Sequence, residues 1–191
     1  MTSYTSFAEL STQQVRGRDF EIDVLRRPES GIAVIAPHGG GIEHGTSEIA
    51  RAIAADQFNL YLFEGRRSSG NYAALHLTSH LFDEPECLAL IARCSVVVAI
   101  HGCGGAEHEV LLGGRHREIK DQLSEALWAA KIPNRTDGHR FPGAEPRNIC
   151  NRGLTGRGVQ LEITTALRAS AAALELAAAV RETLDGADGG P

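Results

Sequence analysis

The chain has 191 residues, enough for one domain with a real hydrophobic core, and its 42% hydrophobic and 23% charged content is ordinary for a soluble globular protein. The formal charge of −5 argues against nucleic acid as the main partner, because such binding rests on basic surfaces; it leaves room for a small or polymeric anion drawn to a local basic cleft. Aromatics make up only 5% while glycines number 21, a balance that fits tight loops around backbone-lined sites.

In chain order, "SFAELSTQQV" reads as a short helix capped by Ser6. "DFEIDVL" sets Phe20, Ile22 and Val24 against Glu21 and Asp23, the alternation of a half-exposed strand. Residues 31–36, "GIAVIA", are apolar throughout and fit a central strand buried on both faces. A helix over "TSEIARAIAAD" follows, with Thr46 as its N-cap, and then a strand, "NLYLFEG". "DEPECLALIARC" is a helix with Pro85 in its first turn. "SVVVAIHGCGG" is a second fully apolar strand that ends in a glycine loop, and "EVLLGG" is a further strand. "REIKDQLSEALWAAKI" is an amphipathic helix, residues 133–158 are irregular, "GVQLEIT" is the last strand and "TALRASAAALELAAAVRETL" the last helix.

Strands that alternate with helices imply an α/β fold, a single domain over residues 1–185 with a mostly parallel or mixed central sheet flanked by helices. Residues 186–191 are expected to form a disordered tail. The N-terminus lacks a basic start followed by an apolar core, and no apolar run approaches the length of a membrane span. The expectation is a cytoplasmic protein, open to release on cell lysis, with no membrane partner; its oligomeric state is left open, with a monomer as the default. Cys87 and Cys94 stand seven residues apart on one expected helix, roughly 10 Å along its axis and too far for a bridge. Free thiols are expected for these two and for Cys103 and Cys150.

Candidate chemistry collects where α/β sheets place it, outside the carboxyl ends of strands. His38 follows "IAVIA" after one proline, Glu43 lies five residues on, and His101 follows "VVVAI" directly. Two histidines and one carboxylate make a three-ligand zinc set with an open fourth position. The glycines between His38 and Glu43 let both side chains turn toward one ion. Spacing alone equally allows a glycine loop that binds nothing, or an anion-binding turn ahead of a helix. Glu162 lies inside a strand, on the face opposite Val159, Leu161 and Ile163 and shared with Gln160. A carboxylate there either faces solvent on an edge strand or, beside a metal, is the natural general base.

Arg147, Arg152 and Arg157 stand with Asn148 and Asn151 in the glycine-rich approach to Glu162, as carboxylate-binding candidates or as a solvated basic loop. His76, in "LHLTS", is placed as a substrate-facing residue; His44 is a neighbour of the metal set or exposed; His80, His108, His116 and His139 read as surface or loop residues. Cys103 beside His101 raises a Cys–His nucleophile, against which stands the commoner buried thiol at a glycine turn.

Together, "APHGGGIEHGTSEIARAIA", "YLFEG", "LHLTS", "FDEP", "IHGCGG" and "NICNRGLTGRGVQLEIT" resemble the phage-type poly-γ-glutamate hydrolase family, compact relatives of the zinc carboxypeptidases. The resemblance runs from about Phe7 to Arg168. It implies a zinc-carboxypeptidase-like fold, Zn²⁺ held by His38, Glu43 and His101, and Glu162 as the catalytic carboxylate. It also implies cleavage of γ-glutamyl amides in an anionic polymer, with the Asn151–Arg152 pair as anchor for a substrate carboxylate. His44 departs from the proline expected after the glutamate, and "LLGGRHREIK" and "GHRFPGAEPRN" also depart from the pattern. The rival readings are a zinc amidase or peptidase on another γ-glutamyl or cell-wall peptide, and a non-catalytic metal or anion binder. Glu162 separates them, because a binder needs no base beside its metal.

Overall fold

The computed structural model describes residues 4–188. Its strands are β1 Phe20–Leu25, β2 Ile32–Gly40, β3 Asn59–Gly65, β4 Val96–Cys103, β5 Val110–Gly114, β6 Asn134–Arg135 and β7 Val159–Thr164. Its helices are α1 Phe7–Ser11, α2 Thr46–Ala54, α3 Asn71–Leu75, α4 Pro85–Ile91, α5 Arg117–Ala129, α6 Thr165–Arg168 and α7 Ala172–Asp188. The strands form one mixed sheet in the order β1-β3-β2-β4-β7-β5-β6. The pairs β3–β2, β2–β4, β4–β7 and β5–β6 are parallel, and β1–β3 and β7–β5 are antiparallel.

The apolar runs lie at the centre of this sheet because both faces are covered. Ile32, Val34, Val98, Ile100, Leu161 and Ile163 pack under α2, α5 and α7, against Ile53, Leu123, Leu127, Leu176 and Val180. The alternate residues Ala33, Ile35, Tyr61, Phe63, Val97 and Ala99 pack under α1 and α4, against Leu10, Phe82, Leu90 and Ile91. Among the described residues, no α-helix is packed over β7 and β5 on this second face. The segment from His139 to Asn148 lies there instead, held by hydrogen bonds from His139 Nε2 to the Leu112 carbonyl, 3.2 Å, and from Gly114 N–H to the Pro142 carbonyl, 2.9 Å. The gap between this segment and the carboxyl ends of β2, β4 and β7 is the cleft described below.

Several elements differ from the sequence expectation. β2 continues past Ala36 to Gly40, so Pro37 and His38 lie in the sheet. A register shift against β3 between Ala36 and Gly39 accommodates the proline, whose missing N–H a regular central ladder would not tolerate. The N-cap of α2 is Gly45, at φ 89°, and Thr46 is the first helical residue; its hydroxyl donates to the Glu43 carbonyl at 2.8 Å. Cys94 falls beyond the end of α4. The irregular region holds β6 and a 3₁₀ turn, Ile149–Asn151, and the five-residue α3 is too short for its periodicity to show in sequence. The final helix is broken into α6 and α7. α7 runs to Asp188, so residues 186–188 are helical where a disordered tail is expected; residues 189–191 lie outside the described ones. Cys87, Cys103 and Cys150 are buried free thiols. Among the described residues no helix is long and apolar enough to cross a membrane.

Candidate active site

β2, β4 and β7 are adjacent and parallel, so their carboxyl ends emerge side by side. His38 is on the first, His101 on the second and Glu162 on the third, with His101 in register beside Glu162. Glu43 returns to the same place through a tight turn closed by its own N–H on the His38 carbonyl, 2.9 Å. That turn needs glycine at position 40. Gly40 sits at φ +59°, and a Cβ there would lie 2.7 Å from the Gly65 carbonyl oxygen.

The side chains converge closely. His38 Nδ1 is 3.2 Å from Glu43 Oε1 and 3.1 Å from His101 Nδ1, and His101 Nδ1 is 3.9 Å from Glu43 Oε2. A third imidazole completes the ring around the carboxylate: His76 Nε2 is 3.5 Å from Glu43 Oε1, and its ring lies 4.1 Å from that of His38 and stacks on Tyr72. The outer nitrogens are spoken for. His38 Nε2 donates to the Leu77 carbonyl at 2.8 Å, and His101 Nε2 is 3.4 Å from Ser79 Oγ. Both Nδ1 atoms are thereby directed inward, in the manner of imidazoles whose far nitrogen is anchored to orient the near one on a metal. The Gly102 N–H donates to Glu43 Oε2 at 2.7 Å and holds the carboxylate in place.

The electrostatics call for a cation at the centre. Burial works to raise the Glu43 carboxyl, but His38, then His76 and His101, outweigh it and hold that carboxyl well below the usual range. Burial likewise opposes charge on His38, and the Glu43 carboxylate overcomes it and raises that imidazole. Burial and the neighbouring His38 push His101 down to about 3. Without a metal, the proton on His38 Nδ1 is what separates two lone pairs and a carboxylate oxygen. Donors held about 2.0–2.2 Å from one tetrahedral ion stand about 3.3 Å apart, close to the shortest separations here. One donor atom each from His38, Glu43 and His76 also fall within 4.8 Å of one another. Two overlapping donor sets therefore share His38 and Glu43, one completed by His101 and the other by His76, and either set of imidazole and carboxylate donors fits zinc.

The cluster opens into a cleft of about 860 Å³. Glu162 is buried on its wall, and burial followed by the Glu43 charge pushes its carboxyl up to about 8. Gln160 shares its strand face, as the alternation predicts, and forms a relay: Asn148 Nδ2 donates to Gln160 Oε1 at 2.7 Å, and Gln160 Nε2 reaches Glu162 Oε1 at 3.4 Å. Arg140 lines the mouth.

His38, Glu43, His76, His101 and Glu162 are thus brought to one place. Asn151 and Arg152 are not among the residues lining the cleft. Asn151 spends its amide on scaffolding: Nδ2 donates to the Gly143 and Glu145 carbonyls, and Oδ1 accepts from the Arg115 and Gly158 N–H groups. The Arg152 guanidinium bonds the Phe82 carbonyl at 3.3 Å. Two other arginines stand by the site, Arg140 at the mouth and Arg168 on α6. Arg168 was findable, since it follows Glu162 by six residues just past a strand end; Arg140 sits in an irregular loop with no local signal. Of the histidines expected at the surface, His80 lines the cleft and His116 caps α5 by accepting from Ile119 N–H. Cys103 lines the cleft, and burial raises its thiol to about 11, far from a reactive thiolate.

Fold and site define an α/β domain with a metal-competent polar cleft at the carboxyl ends of its parallel strands. A profile of the poly-gamma-glutamate hydrolase family matches residues 4–184, and the chain belongs to that family. It is similar to a bacteriophage poly-gamma-glutamate hydrolase of known structure, with TM-score 0.93, 30% identity and 98% of each chain covered. A zinc-free apo structure of YndL superimposes with TM-score 0.90 and 30% identity, covering 98% of this chain and 99% of the other. By sequence the chain is 36% identical to the UPF0714 protein YndL of Bacillus subtilis (strain 168), over 87% of its own length and 66% of YndL.

Proposed function

We propose that this protein is a zinc-dependent hydrolase of γ-glutamyl amide bonds, with poly-γ-glutamate as its substrate class. The observation that carries the reading is Glu162: a buried carboxyl at the end of β7, in register with His101, on the wall of the cleft that the imidazole–carboxylate cluster opens into. A protein that merely bound a metal or an anion would have no use for it. His38, Glu43 and His101 hold the ion in this reading, and His76, stacked on Tyr72 and close against His38, borders the substrate. When bound, zinc supplies Lewis acidity, which eases deprotonation of water and polarises an amide carbonyl. Glu162 accepts the proton of the attacking water and returns it to the departing amine nitrogen. Gln160 holds Glu162 in position, and Asn148 holds Gln160. The segment from Phe141 to Pro146 forms the outer wall and limits solvent around the reacting bond.

The family and the similarity to the bacteriophage enzyme support the polymer as substrate. A second reading, a γ-glutamyl peptide of the cell wall, is favoured by Glu145, a carboxylate on the lining of the cleft that a polyanion would have to pass. Incubating the purified protein with poly-γ-glutamate and with cell-wall peptide, each with and without chelator, and sizing the products tests both. Chelator-sensitive shortening of the polymer is expected; an intact polymer beside cleaved peptide transfers the activity to the second reading, and no cleavage of either removes the enzyme.

A further inference from the structure

Beyond Glu43 the main cleft continues into a second hollow of about 380 Å³. The two share Glu43, Tyr72 and the Gly102–Gly104 segment, so they form one groove around the cluster. The floor of the second hollow carries Arg168. Its guanidinium is half-buried and is pinned by backbone carbonyls alone. Nε donates to the His44 carbonyl at 2.7 Å, and Nη1 donates to the Cys103 carbonyl at 3.2 Å and to that of Ile163. Among the described residues it has no carboxylate within ion-pair distance, and Nη2 makes no hydrogen bond. Gly102 makes room for it, because a Cβ there would lie 2.5 Å from the guanidinium carbon. Taking a guanidinium out of water is costly, and here the Glu43 and Glu162 carboxylates act on it only from beyond ion-pair distance, while three carbonyls from three separate segments hold the group in place.

We propose that Arg168 is a carboxylate subsite that takes the α-carboxylate of the γ-glutamyl residue on the amine side of the scissile bond. This rests on the hydrolase reading above and names what in the substrate the site recognises. In a γ-linked chain the carbon bonded to the scissile nitrogen carries a free α-carboxylate. In an α-linked chain that carbon carries a backbone carbonyl and an alkyl side chain, and the carboxylate lies further out. A fixed guanidinium beside the cluster therefore reads the linkage itself. It also fills the role that the family resemblance implies for Arg152, whose guanidinium is instead on the Phe82 carbonyl.

The test measures binding to the full-length, metal-loaded protein in a Glu162→Gln background, so that no turnover intervenes. The probes are γ-linked triglutamate and the same oligomer with every α-carboxylate converted to carboxamide, titrated calorimetrically. Arg168→Met should weaken the acid about 10- to 100-fold, the loss expected for a charge-assisted pair, and leave the carboxamide unchanged. Equal affinity of the two proteins for the acid overturns the subsite while the hydrolase reading stands. If the parent protein ignores the acid altogether, the hydrolase reading and the subsite fail together. If Arg168→Met unfolds or loses its metal, Arg168→Lys decides, since it keeps the charge and loses the fork. Weakening toward the acid alone upholds the proposal, and equal weakening toward both probes, or none, overturns it.

Discussion

In the metal-free protein, burial and the adjacent Glu43 push the Glu162 carboxyl up to about 8, which marks it as a buried group able to take and give a proton, the capacity a general acid–base needs. Glu162→Gln preserves shape and removes basicity. Its turnover should fall by roughly 10²-fold or more while one metal per chain is retained, read from kcat and elemental analysis. Retained turnover would remove Glu162 from the chemistry. The same residue sets a pH dependence in the metal-free protein. The folded pKa lies above the unfolded value of about 4.3, so this group favours the fold at low pH and that contribution is lost as pH rises toward 8. After chelation the melting temperature should therefore decline between about pH 5 and 8, and the Glu162→Gln variant should lack that part of the decline. An identical profile for both proteins would mean Glu162 is not held protonated. The ligand question also belongs to single residues. His101→Ala should abolish stoichiometric metal, whereas His76→Ala should keep it and change KM. The reverse result would seat the ion in the His38–Glu43–His76 group, whose donor atoms also lie close enough.

At the scale of elements, the segment between β6 and β7 makes one wall of the cleft and has almost no regular structure of its own. Its shape depends on Asn151, which donates to two carbonyls of the segment and accepts from the Gly158 N–H within it and the Arg115 N–H beyond it. Asn151→Ala should lower stability by about 1–3 kcal/mol and raise KM, with metal content unchanged. Thermal unfolding separates this from the anchor role assigned by sequence, for a residue that only held substrate would leave the melting temperature where it was. β2 shows the complementary case. Its register shift and Gly40 turn carry His38 along a strand and then fold Glu43 back onto it, so one strand and the turn that follows it position both side chains.

At the scale of the whole molecule, the proposed substrate is a polyanion, which a chain of net charge −5 would have to gather through a local field. Arg140 at the mouth and Arg168 in the adjoining hollow supply that field on two sides of Glu162. Rising ionic strength should increase KM for poly-γ-glutamate, since screening acts over roughly 10 Å at 0.1 M salt. Arg140→Ala should flatten that salt dependence and leave the metal in place. Salt-independent KM in the parent protein would show that the substrate is not gathered electrostatically.

Much of this was written in the chain itself. Apolar runs in alternation with amphipathic segments dictate a sheet covered on both faces, and such a sheet puts polar residues to work only at its strand ends. His38, Glu43, His101 and Glu162 stand at those ends in sequence, and they meet in space because β2, β4 and β7 lie side by side and point the same way. Strand adjacency and register were decided by the tertiary structure. So was every assignment that depends on a long side chain or an irregular path. Arg152 is near Glu162 in sequence yet turns to the Phe82 carbonyl, while Arg140 and Arg168 arrive from other segments. His80 and His116 carry no periodic signal, and only the packing of the loop and of α5 gives them a place. Local sequence governs what a strand or helix buries, because that follows from periodicity within a few residues. Where a flexible arginine or a glycine-rich loop comes to rest is set by hydrogen bonds to residues far along the chain, and those partners exist only once the sheet has formed.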